Sequence, residues 1–264
     1  MLHMALNIKL SKMMKFLCVI VLLVGTSTGF AADPLKDQEN PPLTIVKSHK
    51  NYGFGGATFL KQEEELIKDR PLTLWGVGLF SSADLVGAVI RTLTASNWSH
   101  CGLILMDEKD QTRFCFESTG AASQIFQGIV PQVQISLWDD TAKNYNGSVA
   151  ERQFIFKDQQ PESADIVQYV RKYLGTTYQR DLSVLIESIR SENTDKDTTL
   201  DGLFCSEMVA HMLMKLGYLD KNFKGVDNYV PRNFSSVDYL PWLNGASLTK
   251  EKNVKKVSSC CILL

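Results

Sequence analysis

The sequence predicts an α+β fold in which an antiparallel sheet packs on helices. A near-continuous apolar run from His100 to Met106 is typical of a strand that is covered on both faces. The turn-forming residues Asp107 to Asp110 follow it, and Thr112 to Ser118 has the pattern of the return strand of a hairpin. Two segments, Ala83 to Thr94 and Cys205 to Leu216, repeat apolar residues at helical spacing. The chain therefore combines strands and amphipathic helices.

Further segments complete the predicted domain, which we place at residues 51–245. Leu72 to Phe80 is predicted as a strand before the first helix, and Gln153 to Phe156 as a short strand after the hairpin. Pro161 opens another helix, because a proline at the first helical position sacrifices no hydrogen bond, and Gly175 ends it.

The composition is that of an ordinary globular protein. The chain has 264 residues, of which 44% are hydrophobic and 22% charged, so it is long enough for one sizeable core. Its net charge of −1 gives no indication of nucleic-acid binding.

Residues 1–32 have the pattern of a secretory signal peptide. The apolar run Phe16 to Val24 is too short to span a membrane comfortably, which takes about 20 apolar residues. Small residues follow it, and we expect cleavage after Ala31 or Ala32. Three basic residues precede the run: Lys9, Lys12 and Lys15. This pattern predicts export, to a secreted or periplasmic location, with residues 33–50 as a linker; the alternative is an uncleaved anchor.

Residues 246–264 are predicted to form a basic tail that ends in a lipidation signal. Cys261-Ile-Leu-Leu fits the pattern for prenylation, and Cys260 could carry a second lipid. The basic residues upstream are Lys252, Lys255 and Lys256. Such a tail predicts peripheral membrane association. Prenylation belongs to the eukaryotic cytosol, so a bacterial protein delivered into a host cell would reconcile both ends of the chain. The alternative is a coincidental match.

The cysteines predict no metal site. Six are present, and five remain once Cys18 leaves with the signal peptide, without the spacing of metal ligands. Cys101 and Cys115 lie in apolar strands, where we expect them to behave as small buried hydrophobes. We expect no cofactor.

Cys205 is the candidate nucleophile. It stands at the first turn of an amphipathic helix, where the positive end of the helix dipole lowers a thiol pKa. A nearby histidine would complete its activation. The alternative is a buried structural cysteine.

His100 is the candidate base. His211 follows Cys205 by six residues, which places it about 240° round the helix and roughly 9 Å along it, beyond reach of the sulfur. His100, at the mouth of the hairpin, remains.

Glu117 is the candidate third residue. With a turn over Asp107 to Asp110, Met106 pairs with Gln111 and His100 lies opposite Glu117 on one face. A one-residue slip would turn Glu117 away and make Ser118 the neighbour. The alternative is an exposed carboxylate at a strand end.

These segments carry a resemblance. Ser99 to Leu103, Glu117 and Phe204 to Val209 resemble the circularly permuted NlpC-type papain-like hydrolases. That group includes the YiiX/YaeF-type amidases and, more distantly, the lecithin:retinol acyltransferase-like proteins. In the permuted members the histidine precedes the cysteine, as it does here, and the resemblance covers roughly residues 72–240.

The resemblance implies a permuted papain-like fold with the nucleophile at a helix N-terminus. It also implies that Cys205 is the nucleophile, His100 the base and Glu117 the orienting residue, with Tyr178 lining the substrate site. The chain departs from the pattern at Cys101, where an aliphatic residue is more usual, and at its first strand, which lacks a Gly-Asp pair.

The predicted function is that of a cysteine-dependent hydrolase, an amidase, peptidase or lipid acyl hydrolase that works through a Cys205 acyl-enzyme. Its substrate would be an acyl-amide, a peptide or a lipid. One alternative is an acyltransferase of the lecithin:retinol type. Another, from a different class, is a non-catalytic membrane-interaction protein that retains the fold.

Overall fold

The computed structural model describes residues 65–119, 132–176, 178 and 204–257. All of them belong to one of the two units into which the chain divides, Ser48–Leu264. The predicted signal peptide and linker, and the predicted lipidation sites Cys260 and Cys261, lie outside the described residues.

The core of the molecule is an antiparallel sheet. Its strands are β1 Leu72–Ser82, β2 His100–Asp107, β3 Arg113–Thr119, β4 Gln132–Leu137, β5 Gly147–Phe156, β6 Ala246–Leu248 and β7 Lys252–Lys255. The order across the sheet is β4-β3-β2-β1-β5-β6, and β7 pairs with another part of β5. Every pairing is antiparallel.

Helices pack on this sheet, which confirms the predicted α+β class. They are α1 Leu85–Thr94, α2 Trp138–Asn144, α3 Ser163–Tyr173 and α4 Cys205–Lys215. Two 3₁₀ turns, Val226–Asn228 and Pro231–Phe234, follow α4. The helix opened by Pro161 begins at Ser163, and Gly175 follows its end with a φ of 81°.

The two faces of the sheet bury different clusters. On one face, α3 and α4 cover the main core, to which Cys101, Leu103 and Phe116 belong. On the other face, α2 covers a smaller cluster. Its buried members are Phe80, Ile104, Cys115, Trp138, Ala142 and Val149. Both faces are apolar, which explains the near-continuous apolar sequence of β2.

The β2–β3 hairpin has a register that differs by two residues from the predicted one. Met106 pairs with Arg113 rather than with Gln111, because the turn closes one residue later at each end. The N–H of Asp107 donates to the carbonyl of Thr112, at 2.9 Å, and Gln111 takes a left-handed conformation with a φ of 61°. A shift of two residues keeps every side chain on its predicted face.

The sheet continues past the predicted domain boundary at residue 245. Strands β6 and β7 come from the segment that the sequence assigned to the basic tail. Two lysines of that segment contact the domain: Lys252 pairs with Glu151 at 3.1 Å, and Lys255 donates to the carbonyl of Lys143 at 3.0 Å. Short polar strands of this kind carry little hydrophobic pattern, so the sequence predicted none here.

Candidate active site

His100 and Glu117 form a hydrogen-bonded pair on neighbouring strands. Nε2 of His100 lies 2.6 Å from Oε2 of Glu117, and the side chains are only 13% and 8% exposed. The other carboxylate oxygen of Glu117 accepts a hydrogen bond from Nε2 of Gln134 on β4, at 3.0 Å. Three adjacent strands therefore hold the imidazole in one orientation.

A glycine makes room for this pair. The register of the hairpin, continued by one pair, places Gly102 opposite Glu117, so His100 is the diagonal neighbour of Glu117. A Cβ atom on Gly102 would lie 3.0 Å from Cβ of Glu117 and 3.2 Å from the carbonyl oxygen of Phe116. The bare backbone lets the Glu117 side chain lie across β2 and reach the imidazole.

Cys205 is the first residue of α4, and its neighbours fix the start of that helix. The backbone N–H of Phe204 donates to Oε2 of Glu207 at 3.1 Å, which is half of a capping box. The hydroxyl of Ser206 donates to the carbonyl of Tyr229 at 2.6 Å. Cys205 itself is 6% exposed, so its thiol sits in a largely buried, fixed position.

The surroundings of Cys205 favour the thiolate. Hydrogen bonding from the Cys101 thiol is the largest influence and lowers the Cys205 pKa, whereas burial raises it. The positive charge of His100, a hydrogen bond from His100 and one from the backbone N–H of Cys101 lower it further. The net pKa lies well below that of an ordinary thiol.

The imidazole of His100 responds to the same pair. Burial alone would lower its pKa, but the negative charge and hydrogen bond of Cys205 outweigh burial, and Glu117 adds to them. The result is a His100 pKa of about 10. Because Nε2 faces Glu117, Nδ1 is the ring nitrogen that is left for Cys205. The two pKa directions together favour a thiolate on Cys205 and an imidazolium on His100.

Tyr178 lies beside this pair. Its ring is 5.9 Å from that of Phe204, in an edge-on arrangement, and it packs against the small cluster of Ile90 and Phe204. Burial raises the Tyr178 pKa, and the charge of Cys205 raises it further. This placement is compatible with the lining role that the sequence resemblance implied, which stays a prediction.

His211 has a different partner. Its Nδ1 lies 2.7 Å from the hydroxyl of Tyr169 on α3. Burial and then the charges of Lys215 and Lys172 lower the His211 pKa to about 4, so the ring is neutral near pH 7. This placement agrees with the exclusion of His211 by helical geometry.

Three residues at this site were missed by the sequence reasoning. Gln134 lies on β4, which was not predicted, although its alternation of polar and apolar residues could have indicated a strand. The role of Gly102 depends on the true register. The contact of Cys101 with Cys205 depends on how α4 packs on β2, and no pattern in the sequence reports that packing.

The described residues offer no group of three or more His, Cys, Asp or Glu side chains arranged to hold a metal ion. Within the same ranges, no helix has both the length and the apolar character needed to cross a membrane.

Comparison with known proteins gives a distant likeness to solved structures. No family model and no curated protein matches the chain. A solved structure described as the metalloprotein YiiX from Escherichia coli O157:H7 is similar to it, with 17% sequence identity and a TM-score of 0.36. The match covers 56% of this chain and 67% of that one. The likeness is distant.

Proposed function

We propose that the protein is a cysteine-dependent hydrolase that cleaves an amide or ester bond through an acyl-enzyme on Cys205. The observation that carries the proposal is the contact between a low-pKa thiol and an imidazole whose other nitrogen is held by Glu117. A thiolate is the nucleophilic form of cysteine, and the paired imidazolium supplies the proton that the leaving group needs.

The reaction would begin at the sulfur. The Cys205 thiolate attacks the carbonyl carbon, and the carbonyl oxygen takes up negative charge as the tetrahedral intermediate forms. His100 then donates its proton to the leaving amine or alcohol, and the acyl group stays on sulfur. In the second half, His100 accepts a proton from water, which attacks the thioester and releases the acid.

The helix start would stabilise the intermediate. The backbone N–H groups of the first turn of α4 have no partner within the helix, and they lie at its positive end. The N–H of Cys205 is the donor nearest to the reacting sulfur, so it is the candidate for the oxyanion.

The remaining sequence predictions stay proposals. An acyltransferase would share the first half of this reaction and pass the acyl group to a nucleophile other than water. Export, prenylation of Cys261 and membrane association rest on patterns at the two ends of the chain. The substrate classes we propose are acyl-amides, peptides and lipids.

Labelling with an iodoacetamide probe at mildly acidic pH tests the nucleophile. Ordinary thiols are protonated there, so wild-type protein should be labelled at Cys205, and Cys205→Ala should lose most of the label. Cys115→Ser is the matched control, because Cys115 is buried on the face of the sheet that α2 covers, whereas Cys205 lies in the cluster on the other face. Equal labelling of wild type and Cys205→Ala would overturn the proposal and favour the non-catalytic alternative.

Acyl transfer is separated from hydrolysis by the product. Wild-type protein is incubated with a thioester or amide substrate, with and without an added amine. If water is the acceptor, the free acid should form in both cases. Formation of the new amide as the main product would identify an acyltransferase instead.

A further inference from the structure

The sulfur of Cys205 contacts a second cysteine. Cys101 lies on the strand that also carries His100, on the face of that strand on which α4 packs, and hydrogen bonding from Cys101 lowers the Cys205 pKa. Cys101 and Cys205 also belong to one buried cluster.

This contact is specific to one of the two buried strand cysteines. Cys101 is fully buried in the cluster that α4 covers, whereas Cys115 is fully buried in the cluster under α2. The sheet therefore separates Cys115 from the face on which Cys101 meets α4. All three cysteines are free thiols in this structure.

We propose that Cys101 is a resolving cysteine, which forms a reversible disulfide with Cys205 when a peroxide oxidises the nucleophile. This inference rests on the proposed reactive thiolate of Cys205 and deepens it, since the disulfide would switch the same site off. It is independent of which acyl group the site accepts.

The chemistry takes two steps and one oxidant, hydrogen peroxide. The Cys205 thiolate attacks one peroxide oxygen, the O–O bond breaks, and sulfenic acid and water form once the released hydroxide takes up a proton. The Cys101 sulfur then attacks the Cys205 sulfur. The S–O bond breaks, and the hydroxyl leaves as water with the proton of the Cys101 thiol.

The attack of Cys101 on oxidised Cys205 is favoured by the closeness of the two sulfurs rather than by a low Cys101 pKa. Burial is the main cause that raises the Cys101 pKa, and its contact with the Cys205 thiolate raises the pKa further. Oxidation of Cys205 removes that negative charge. The two sulfurs are already neighbours, so closure is intramolecular and needs no solvent access to Cys101, which has none.

The test is mass spectrometry of full-length protein after treatment with a modest excess of hydrogen peroxide. Wild type should show a peptide cross-linked between Cys101 and Cys205, and dithiothreitol should remove the link. In Cys101→Ser, Cys205 should instead carry two or three added oxygens that dithiothreitol does not remove. Cys115→Ser is the matched control and should behave as wild type.

Several outcomes would overturn the proposal. They are the absence of a cross-link in wild type, a cross-link that joins Cys115, or over-oxidation of Cys205 to the same extent in wild type and Cys101→Ser. Circular dichroism shows that each variant is folded, and Cys101→Ala serves if the serine variant is not. The cross-link is measured without substrate, so a protein that lacks hydrolase activity but forms it would contradict only the proposed function.

Discussion

At the scale of single residues, His100 receives opposing influences from its surroundings. Burial lowers its pKa, and the charge and hydrogen bond of Cys205 raise it more than Glu117 does. In the proposed mechanism Glu117 therefore acts mainly by orienting the ring, while Cys205 supplies most of the stabilisation of the imidazolium.

The relative size of these influences can be measured. Cys205→Ala should lower the His100 pKa from about 10 by more than Glu117→Gln does, because burial then acts against Glu117 alone. Titration of the His100 ring protons by NMR gives both values. Glu117→Gln should also shift the alkaline limb of the pH–rate profile to lower pH. A larger fall in Glu117→Gln than in Cys205→Ala would contradict this assignment.

Gly102 is the second residue whose role can be isolated. A methyl group there meets Cβ of Glu117 at 3.0 Å and Sγ of Cys115 at 3.3 Å, so the Glu117 side chain must move. Gly102→Ala should reduce kcat by roughly 10-fold or more, in line with the cost of misplacing a catalytic group. KM should change little, since no substrate contact is removed.

The control for Gly102→Ala is a glycine on the neighbouring strand. Gly78 pairs with Gly102 across β1 and β2, but the atoms nearest to a methyl group on Gly78 belong to the Trp138 and Phe80 rings rather than to Glu117. Gly78→Ala should lower stability without a selective loss of kcat in the protein that remains folded. Equal kcat in wild type and Gly102→Ala would remove Gly102 from the set of positioning residues.

At the scale of elements, the hairpin shows how much the sequence determines. Alternation of side chains fixed the faces of β2 and β3, so His100 and Glu117 were correctly placed on one side of the sheet. The predicted pairing was wrong by two residues because Gln111 takes a left-handed conformation in the turn. A glutamine in the sequence does not predict that conformation, which is typical of glycine. Because a shift of two residues leaves each side chain on the same face, the predicted contact between His100 and Glu117 is still formed.

Other elements were missing from the prediction for a different reason. Helix α2 has mostly polar residues and buries only Trp138 and Ala142, so its period is too weak to detect. Strand β7 reads Lys-Asn-Val-Lys and is held by its pairing with β5 rather than by a hydrophobic face. Helix α4 was predicted well, because its apolar residues repeat over three turns.

Helix α4 also carries a buried titratable group, Glu207, and a partly buried one, His211, one turn apart, and their pKa values move in opposite directions. Burial is the main cause that raises the Glu207 pKa to about 7, with Asp227 and Cys205 adding to it against a hydrogen bond from Phe204. Burial lowers the His211 pKa to about 4. Both groups are therefore neutral in the folded protein at pH 6.

The two groups give opposite slopes of stability against pH. Below the ordinary His pKa, His211 binds a proton in the unfolded chain but not in the folded protein. The contribution of His211 to folding stability is therefore lost as pH falls from about 6.5 towards 4. Folded Glu207 keeps a proton that the unfolded chain releases, so its contribution is lost as pH rises from about 4.5 to 7.

Single substitutions should expose each slope. In His211→Gln, the free energy of unfolding should fall by about 1–2 kcal/mol as pH rises from about 4 to 7, because only Glu207 then contributes. In Glu207→Gln, it should rise by a similar amount over the same pH range. Urea unfolding at several pH values measures both, and the double variant should be nearly flat. Glutamine preserves the capping bond to Phe204, so a loss of the helix itself is not expected. Parallel slopes in the two single variants would contradict the assignment.

At the scale of the whole molecule, one arginine ties the sheet to the segment after α4. Arg152 on β5 is 9% exposed. It donates to the carbonyls of Thr249 at 2.6 Å, Phe234 at 2.7 Å and Leu248 at 3.3 Å. The same segment supplies the Tyr229 carbonyl that accepts the Ser206 hydroxyl at the start of α4. Arg152 therefore connects the central sheet with the backbone that supports the start of α4, where Cys205 lies.

Replacement of this arginine should weaken the entire domain rather than one element. Lysine keeps the charge but lacks the planar fork, so Arg152→Lys leaves at least one buried carbonyl without a donor and should cost about 2–3 kcal/mol of unfolding free energy. Urea unfolding followed by both tryptophan fluorescence and circular dichroism measures this, and the two signals should shift together. Arg171→Lys, on the exposed side of α3, is the matched control and should leave the midpoint unchanged. If fluorescence and circular dichroism shift by different amounts, the segment after α4 unfolds on its own, and Arg152 stabilises only that local contact.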